Sequence, residues 1–75
     1  MCELETIAKR IRYLRTVENN LSRNEFADRA GISGRSVENY ENCMTYPSSY
    51  AVYAICEAYH VSADWLLGLR EEMYD

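Results

Sequence analysis

Breakers of regular structure are scarce in this 75-residue chain, which has one proline and three glycines. No segment alternates apolar and polar residues over strand length, so periodicity excludes sheet and leaves helix throughout. Metal-ligating residues are equally few. His60 is the one histidine, and Cys2, Cys43 and Cys56 are far apart in sequence, short of the roughly four ligands a structural zinc site needs. An odd cysteine count without close pairs points to a reduced compartment, with an intermolecular bridge through Cys2 or Cys43 as the lesser alternative. No apolar run approaches the roughly 20 residues of a membrane span, and Glu3-Leu4-Glu5 stands where a secretory signal would have a basic start. A cytoplasmic chain is expected. Catalytic parts are missing too: His60 has no acid partner beside a nucleophile, and Ser33, Gly34 and Ser36 lack the preceding strand of a nucleophile elbow. Neither an enzyme nor a metal or cofactor site is expected.

What remains is a small all-helical domain. A chain of this length hides only about 60% of the surface it exposes when unfolded, so it allows one economical domain. Leu4, Ile7, Ile11 and Leu14 recur at steps of three and four and form one apolar stripe, with Lys9, Arg10, Arg12 and Arg15 on the other faces. Asn19-Asn20 breaks the pattern, Leu21 returns to the core, and Ser22 with Glu25 has the capping-box spacing for a second helix over about Arg23 to Ala30. Gly31 permits a sharp turn, Ile32 is an apolar plug, and Ser33 caps a third helix through about Glu41. Two short helices joined through such a glycine turn are a helix-turn-helix pattern. Residues 42–47 form a loop, and Pro47 with Ser48 starts a fourth helix carrying Val52, Ile55, Cys56 and Tyr59 at core spacing. Ser62 caps a last helix with Trp65 and Leu66, and Gly68 ends it. The expected organisation is one domain over residues 1–68 and a short acidic tail over 69–75.

Charge is unevenly divided. Residues 1–42 hold seven basic and seven acidic side chains and residues 43–75 one basic and five acidic, so the net charge of −4 resides in the second part. A basic surface confined to the first three helices suits phosphate contacts, or is merely a solvated face. Beyond that balance, Leu21-Ser22-Arg23-Asn24-Glu25-Phe26-Ala27, Gly31-Ile32-Ser33 and Ser36-Val37-Glu38-Asn39-Tyr40-Glu41-Asn42 resemble the Cro and lambda-repressor-like (XRE) helix-turn-helix family. Ile11 to Arg15 is similar to that family's first helix, and Tyr46 to Gly68 to its fourth and fifth.

The resemblance implies a compact five-helix lambda-repressor-like domain that binds double-stranded DNA, usually as a homodimer, with the third helix in the major groove. The exposed face of that helix would carry base readout through Gly34, Arg35, Ser36, Glu38 and Asn39. Arg35 suits guanine and Asn39 adenine, Glu38 would accept from cytosine or orient Arg35, and Ser36 would touch a base or cap. Phosphate contacts would fall to Arg23, Asn24, Ser33 and Asn42, with Arg10 and Arg12 as further candidates that are equally well read as solvated helix charges. Arg15 and Glu41 match a pair that the family joins as an internal salt bridge.

Three features depart from the family pattern. Cys43 stands where glycine is usual, at a position expected to need a positive φ; Met44 and Thr45 replace common cations; and the connection from Thr16 to Asn20 is one residue longer. Seven of the nine aromatic residues are tyrosine. Met44, Tyr46, Tyr50 and Tyr53, with Tyr74 as an addition, form a candidate interface for a second copy or another protein, the alternative being scattered surface aromatics. Two functions follow: a DNA-binding transcriptional regulator, or a protein-interaction module that keeps the fold with weak or no DNA binding.

Overall fold

The computed structural model describes residues 4–74; Met1, Cys2, Glu3 and Asp75 lie outside the described residues. Among these residues the chain forms five α-helices and no strand: α1 (Glu5–Tyr13), α2 (Arg23–Ala30), α3 (Gly34–Glu41), α4 (Ser49–Tyr59) and α5 (Ala63–Leu66). Four of the five begin in the same way. Ser22, Ser33, Ser48 and Ser62 each sit in extended backbone and accept a hydrogen bond from the amide three residues on. Such a cap contributes about 1 kcal/mol because it satisfies one of the free amides of a helix start. At α2 the box is complete, with the Glu25 carboxylate accepting from the Ser22 amide at 2.9 Å, a bond that holds the exposed Glu25 carboxyl below its ordinary pKa.

The ends are built as consistently. After α2, α3 and α4 one residue turns into the left-handed region: Gly31 at φ 75°, Cys43 at φ 59° and His60 at φ 58°. Bonds from Ile32 N–H to Ala27 O and from Met44 N–H to Asn39 O then close Schellman-type turns, and Val61 N–H to Cys56 O closes the third. Cys43 therefore takes the glycine-like positive φ expected at its position directly. The longer connection would be expected to alter only the turn after the first helix, but it is itself partly helical: α1 continues as a π-helical stretch over Leu14–Glu18, bonded i to i+5. Asn19 Nδ2 donates to Leu14 O at 2.8 Å and Leu21 N–H to Arg15 O at 2.9 Å, which seals its end.

The apolar stripe of α1 meets the inner faces of the other helices. Ile11, Leu14, Phe26, Val37, Ile55 and Leu66 are fully buried, and burial of side chains of this size contributes about 1.5–3 kcal/mol each. Leu21, Ile32, Val52, Cys56 and Tyr59 pack against this core partly buried. α3 packs on α1 and α2, α4 closes the far side of α2, and α5 links α4 to α1. Tyr59 fastens α4 to α2 twice, stacking on Phe26 at 4.4 Å and donating its hydroxyl to the Phe26 carbonyl at 2.9 Å.

One buried carboxylate joins the first three helices. Glu41, with no exposed side-chain surface, accepts from Arg15 Nε at 2.7 Å and Arg15 Nη2 at 2.9 Å, from Arg23 Nε at 3.2 Å and from Arg12 Nε at 3.5 Å. Arg15 Nη1 also donates to the Leu21 carbonyl at 3.0 Å, fixing the chain between α1 and α2. Burial alone would raise the Glu41 pKa, but the hydrogen bonds and charge of Arg15, and then of Arg23, outweigh it and hold the carboxyl below its ordinary value.

The segment after α5 is no free tail, so the expected boundary at Gly68 does not divide the structure. Ser62 N–H donates to Met73 O at 2.8 Å and Met73 packs against the core. Arg10 Nη1 donates to the carbonyls of Trp65 and Arg70, Arg10 Nη2 meets Glu71 Oε2 at 3.2 Å, and the guanidinium lies 5.2 Å from the centre of the Trp65 ring. Tyr74 donates to Glu18 Oε1 at 2.9 Å. Carbonyls left bare where the short α5 ends need donors, and Arg10 supplies them from α1.

Three substitutions have expected outcomes. Glu41→Gln leaves Arg15 largely buried without its counter-charge and is expected to lose about 3–5 kcal/mol at pH 7, read by urea unfolding. The Glu41 pKa is lowered from an ordinary 4.5, so its stabilisation is complete above that value and fades as pH falls through the folded pKa; the acid loss should shrink in the variant. His60→Gly relieves a left-handed side-chain residue at an exposed helix end and should gain about 0.5–1 kcal/mol, seen as a thermal midpoint a few degrees higher. Cys43→Gly should gain less, because Cys43 also packs against the core.

Candidate nucleic-acid interface

The starts of α2 and α3 lie side by side and frame one polar cleft of about 550 Å3, lined by Arg15, Ser22, Arg23, Asn24, Gly34, Arg35 and Glu38. Local chemistry explains the arrangement. The Ser22–Glu25 box and the Ser33 cap consume the third amide of each helix. The amides of Arg23 and Asn24 on α2, and of Gly34 and Arg35 on α3, are the helix-start donors without an intrahelical acceptor. Two helix starts also bring two positive dipole ends together, so the cleft favours an anion before any side chain is counted.

The approach is close because Gly34 has no side chain. A Cβ built on Gly34 would lie 2.0 Å from Asn24 Oδ1 and 3.7 Å from the Asn24 Cα, so the Asn24 side chain fills the place where a residue-34 side chain would begin. Gly34, expected to lie on the base-reading face, contributes room and backbone there.

Arg35 stands on the first turn of α3, exposed, and among the described residues it makes no ion pair. Glu38, one turn on and also exposed, shares the cleft, and no ion pair joins it to Arg35. Asn39 is half-buried on the following turn, while its carbonyl accepts from Met44 N–H at 2.8 Å. Ser33 and Ser36 are tied to each other: Ser33 Oγ accepts from Ser36 N–H at 3.0 Å and the two hydroxyls are 2.9 Å apart. Ser36 thus keeps its hydroxyl at the helix start. Asn42 is exposed at the C-cap of α3.

The remaining cations divide. Arg23 leans on Glu41 through Nε but keeps about a third of its side chain exposed, and Arg12, at the long distance of 3.5 Å from the same carboxylate, keeps 53%. Both retain free N–H groups toward solvent. Arg10 does not: its side chain is 18% exposed and its guanidinium is spent on the Trp65 and Arg70 carbonyls and Glu71. Arg10 is placed by the fold as a clamp, not among the cleft cations. Arg15 lines the cleft, yet its guanidinium is committed to Glu41 and Leu21, and Glu41 raises its pKa further.

Two contributors were not singled out from the sequence as part of a site. Ser22 was read only as a cap, but the first residue before α2 necessarily shares the cleft mouth with Arg23. Arg29, exposed in the last turn of α2, is like Arg35 a cation outside the ion pairs of the described residues; helical spacing alone showed it to be off the core.

Of the aromatic surface, Met44, Tyr46, Tyr50 and Tyr53 are each more than half exposed, but they do not make one pocket. Tyr53 lines an apolar groove of about 880 Å3 with Val52, Cys56, Val61, Leu67 and Tyr74, whereas the Tyr50 hydroxyl lies beside the turn at Gly31, 3.9 Å from where a Cβ would stand. Among the described residues no cluster of three or more His, Cys, Asp or Glu could hold a metal ion, and no helix is long and apolar enough to cross a membrane.

Comparison with known proteins agrees with this geometry. Neither a curated protein nor a solved structure gives a significant match to the chain. A helix-turn-helix family model matches residues 11–66, a span that begins within α1, contains all of α2, α3 and α4, and ends with α5. Matched over more than half its length and folded as five helices around a capped turn, the chain belongs to the Cro and lambda-repressor-like (XRE) helix-turn-helix family of DNA-binding regulatory domains.

Proposed function

We propose that the chain is a transcriptional regulator that binds a specific double-stranded DNA site as a homodimer, with α3 in the major groove. The observation that carries this reading is Arg35, an exposed guanidinium outside the ion pairs of the described residues, on the first turn of α3 at the edge of a cleft where two helix starts converge. Its planar fork matches the O6 and N7 acceptors of guanine, a contact that discriminates by about 1–3 kcal/mol. Asn39 stands four residues along the same helix face and suits adenine, and Glu38 suits the amino group of cytosine. Arg23, the bare amides at the start of α2, and Asn42 at the far end of α3 anchor phosphates, with Arg12 in support and Ser33 adding its remaining hydroxyl capacity.

Because most cations are already paired within the fold, few counterions are displaced. Two phosphate-neutralising residues per protomer give a log–log salt slope of about −4 for a dimer.

A second reading, a protein-docking module with weak or no DNA binding, is favoured by the exposed Met44, Tyr46 and Tyr50 and by the apolar groove that the exposed Tyr53 lines.

Selection from a random duplex library at two salt concentrations separates the two. The regulator reading expects an enriched, two-fold symmetric site; absence of enrichment at low salt would sink it. Arg35→Ala should relax preference at one base position of each half-site, and Arg23→Ala should weaken all duplexes alike. Since Arg23 also meets Glu41, its unfolding midpoint is measured alongside. For self-association, Tyr50→Ala with Tyr53→Ala should shift the sedimenting mass from dimer toward monomer with the helical spectrum intact; an unchanged dimer places the contact elsewhere.

A further inference from the structure

We propose that Asn24, on α2, reads a base that α3 cannot reach for want of a side chain at Gly34. The inference deepens the regulator reading and rests on it. In a recognition helix the residue at the first position projects toward the base edges. Here that residue is glycine, and the volume its side chain would occupy is filled by a carboxamide from the neighbouring helix: Asn24 Oδ1 lies 2.0 Å and Cγ 3.2 Å from the position of a Gly34 Cβ. The substitution of one side chain for another is therefore spatial. Asn24 stands at the start of α3 although it belongs to α2.

Three observations give this chemical content. Asn24 is exposed and lines the same cleft as Arg35 and Glu38. Among the described residues its amide makes no hydrogen bond, so Oδ1 and the two Nδ2 hydrogens keep their full capacity. Its backbone is fixed by the Ser22–Glu25 capping box, which brackets it, so the amide is carried by a rigid helix start. An amide with one acceptor and one donor side by side matches adenine, accepting from N6–H and donating to N7. A phosphate contact, the role the sequence suggests for Asn24, would use the donor alone and leave Oδ1 facing an anion.

The arrangement makes Gly34 and Asn24 a unit. A methyl group at residue 34 must displace the amide, so filling the seat should have the same effect on readout as removing the amide itself.

The test is library selection followed by affinity on single-base variants of the winning duplex, for the full chain and for Asn24→Ala, Gly34→Ala and Arg35→Ala. The expected result is that wild type prefers adenine at one position of each half-site by about 5- to 150-fold, the range of one good bidentate pair. Asn24→Ala and Gly34→Ala both lose that preference and retain the others, and Arg35→Ala loses a different position. Helical spectra and unfolding midpoints of each variant establish that it is folded; Asn24→Ala changes an exposed side chain and keeps the test open should Gly34→Ala perturb packing. If Asn24→Ala weakens every duplex equally, Asn24 is a phosphate contact and the proposal fails while the regulator reading stands. Retention of the adenine preference by a folded Gly34→Ala overturns the shared seat. A wild-type chain that enriches no site overturns both.

Discussion

The interaction on which the rest depends is the buried Glu41 carboxylate with its three arginines. It terminates α3, and Arg12, Arg15 and Arg23 approach it from α1, from its π-helical extension and from the start of α2 respectively. A single anion thus fixes the mutual positions of the helices that frame the cleft. A buried charge pair is not by itself strong evidence for stability, since desolvation consumes most of the attraction. Its value lies in geometry: the bidentate Arg15 fork admits one orientation, and the Leu21 carbonyl bond from the same guanidinium locks the chain that leads into α2.

The same economy shapes the surface. Most cations in the first three helices serve the fold, with Arg15 wholly committed, Arg12 and Arg23 partly, and Arg10 diverted to the carbonyls after α5. What faces the cleft is a small number of groups whose strength comes from arrangement: two helix starts, their bare amides, and Arg35. In a chain with net charge −4, recognition by arrangement is better suited than a broad basic field, because the long-range potential of the whole molecule does not attract a polyanion.

Backbone strain is distributed along the helix ends. Gly31 takes its left-handed turn without steric cost, while Cys43 and His60 take the same turn with a Cβ. The turn between α2 and α3, which sets the angle of α3, is the unstrained one of these three. The widened π-helical end of α1 carries Arg15 to Glu41.

Local rules determined much of this protein from sequence alone. Period-three-and-four apolar spacing gave the helices and the buried stripe of Leu4, Ile7, Ile11 and Leu14, and the serines with their i+3 amides and Gly31 gave the starts and the turn, because these features are written within a few residues of one another. The same spacing put Arg35, Glu38 and Asn39 on the outward face of α3. Contacts across the chain were not legible. Arg10 reads from sequence as a phosphate contact or a solvated helix charge, and neither follows once tertiary packing brings carbonyls 55 and 60 residues away within its reach; the acidic segment after Gly68 reads as a tail, but those bonds and Met73 dock it. Likewise nothing local says that Asn24 fills the space above Gly34, since the two lie on different helices. Sequence periodicity fixes which way a residue points from its own helix; which group it meets depends on how the helices pack, and here the buried Glu41 and its arginines set that packing.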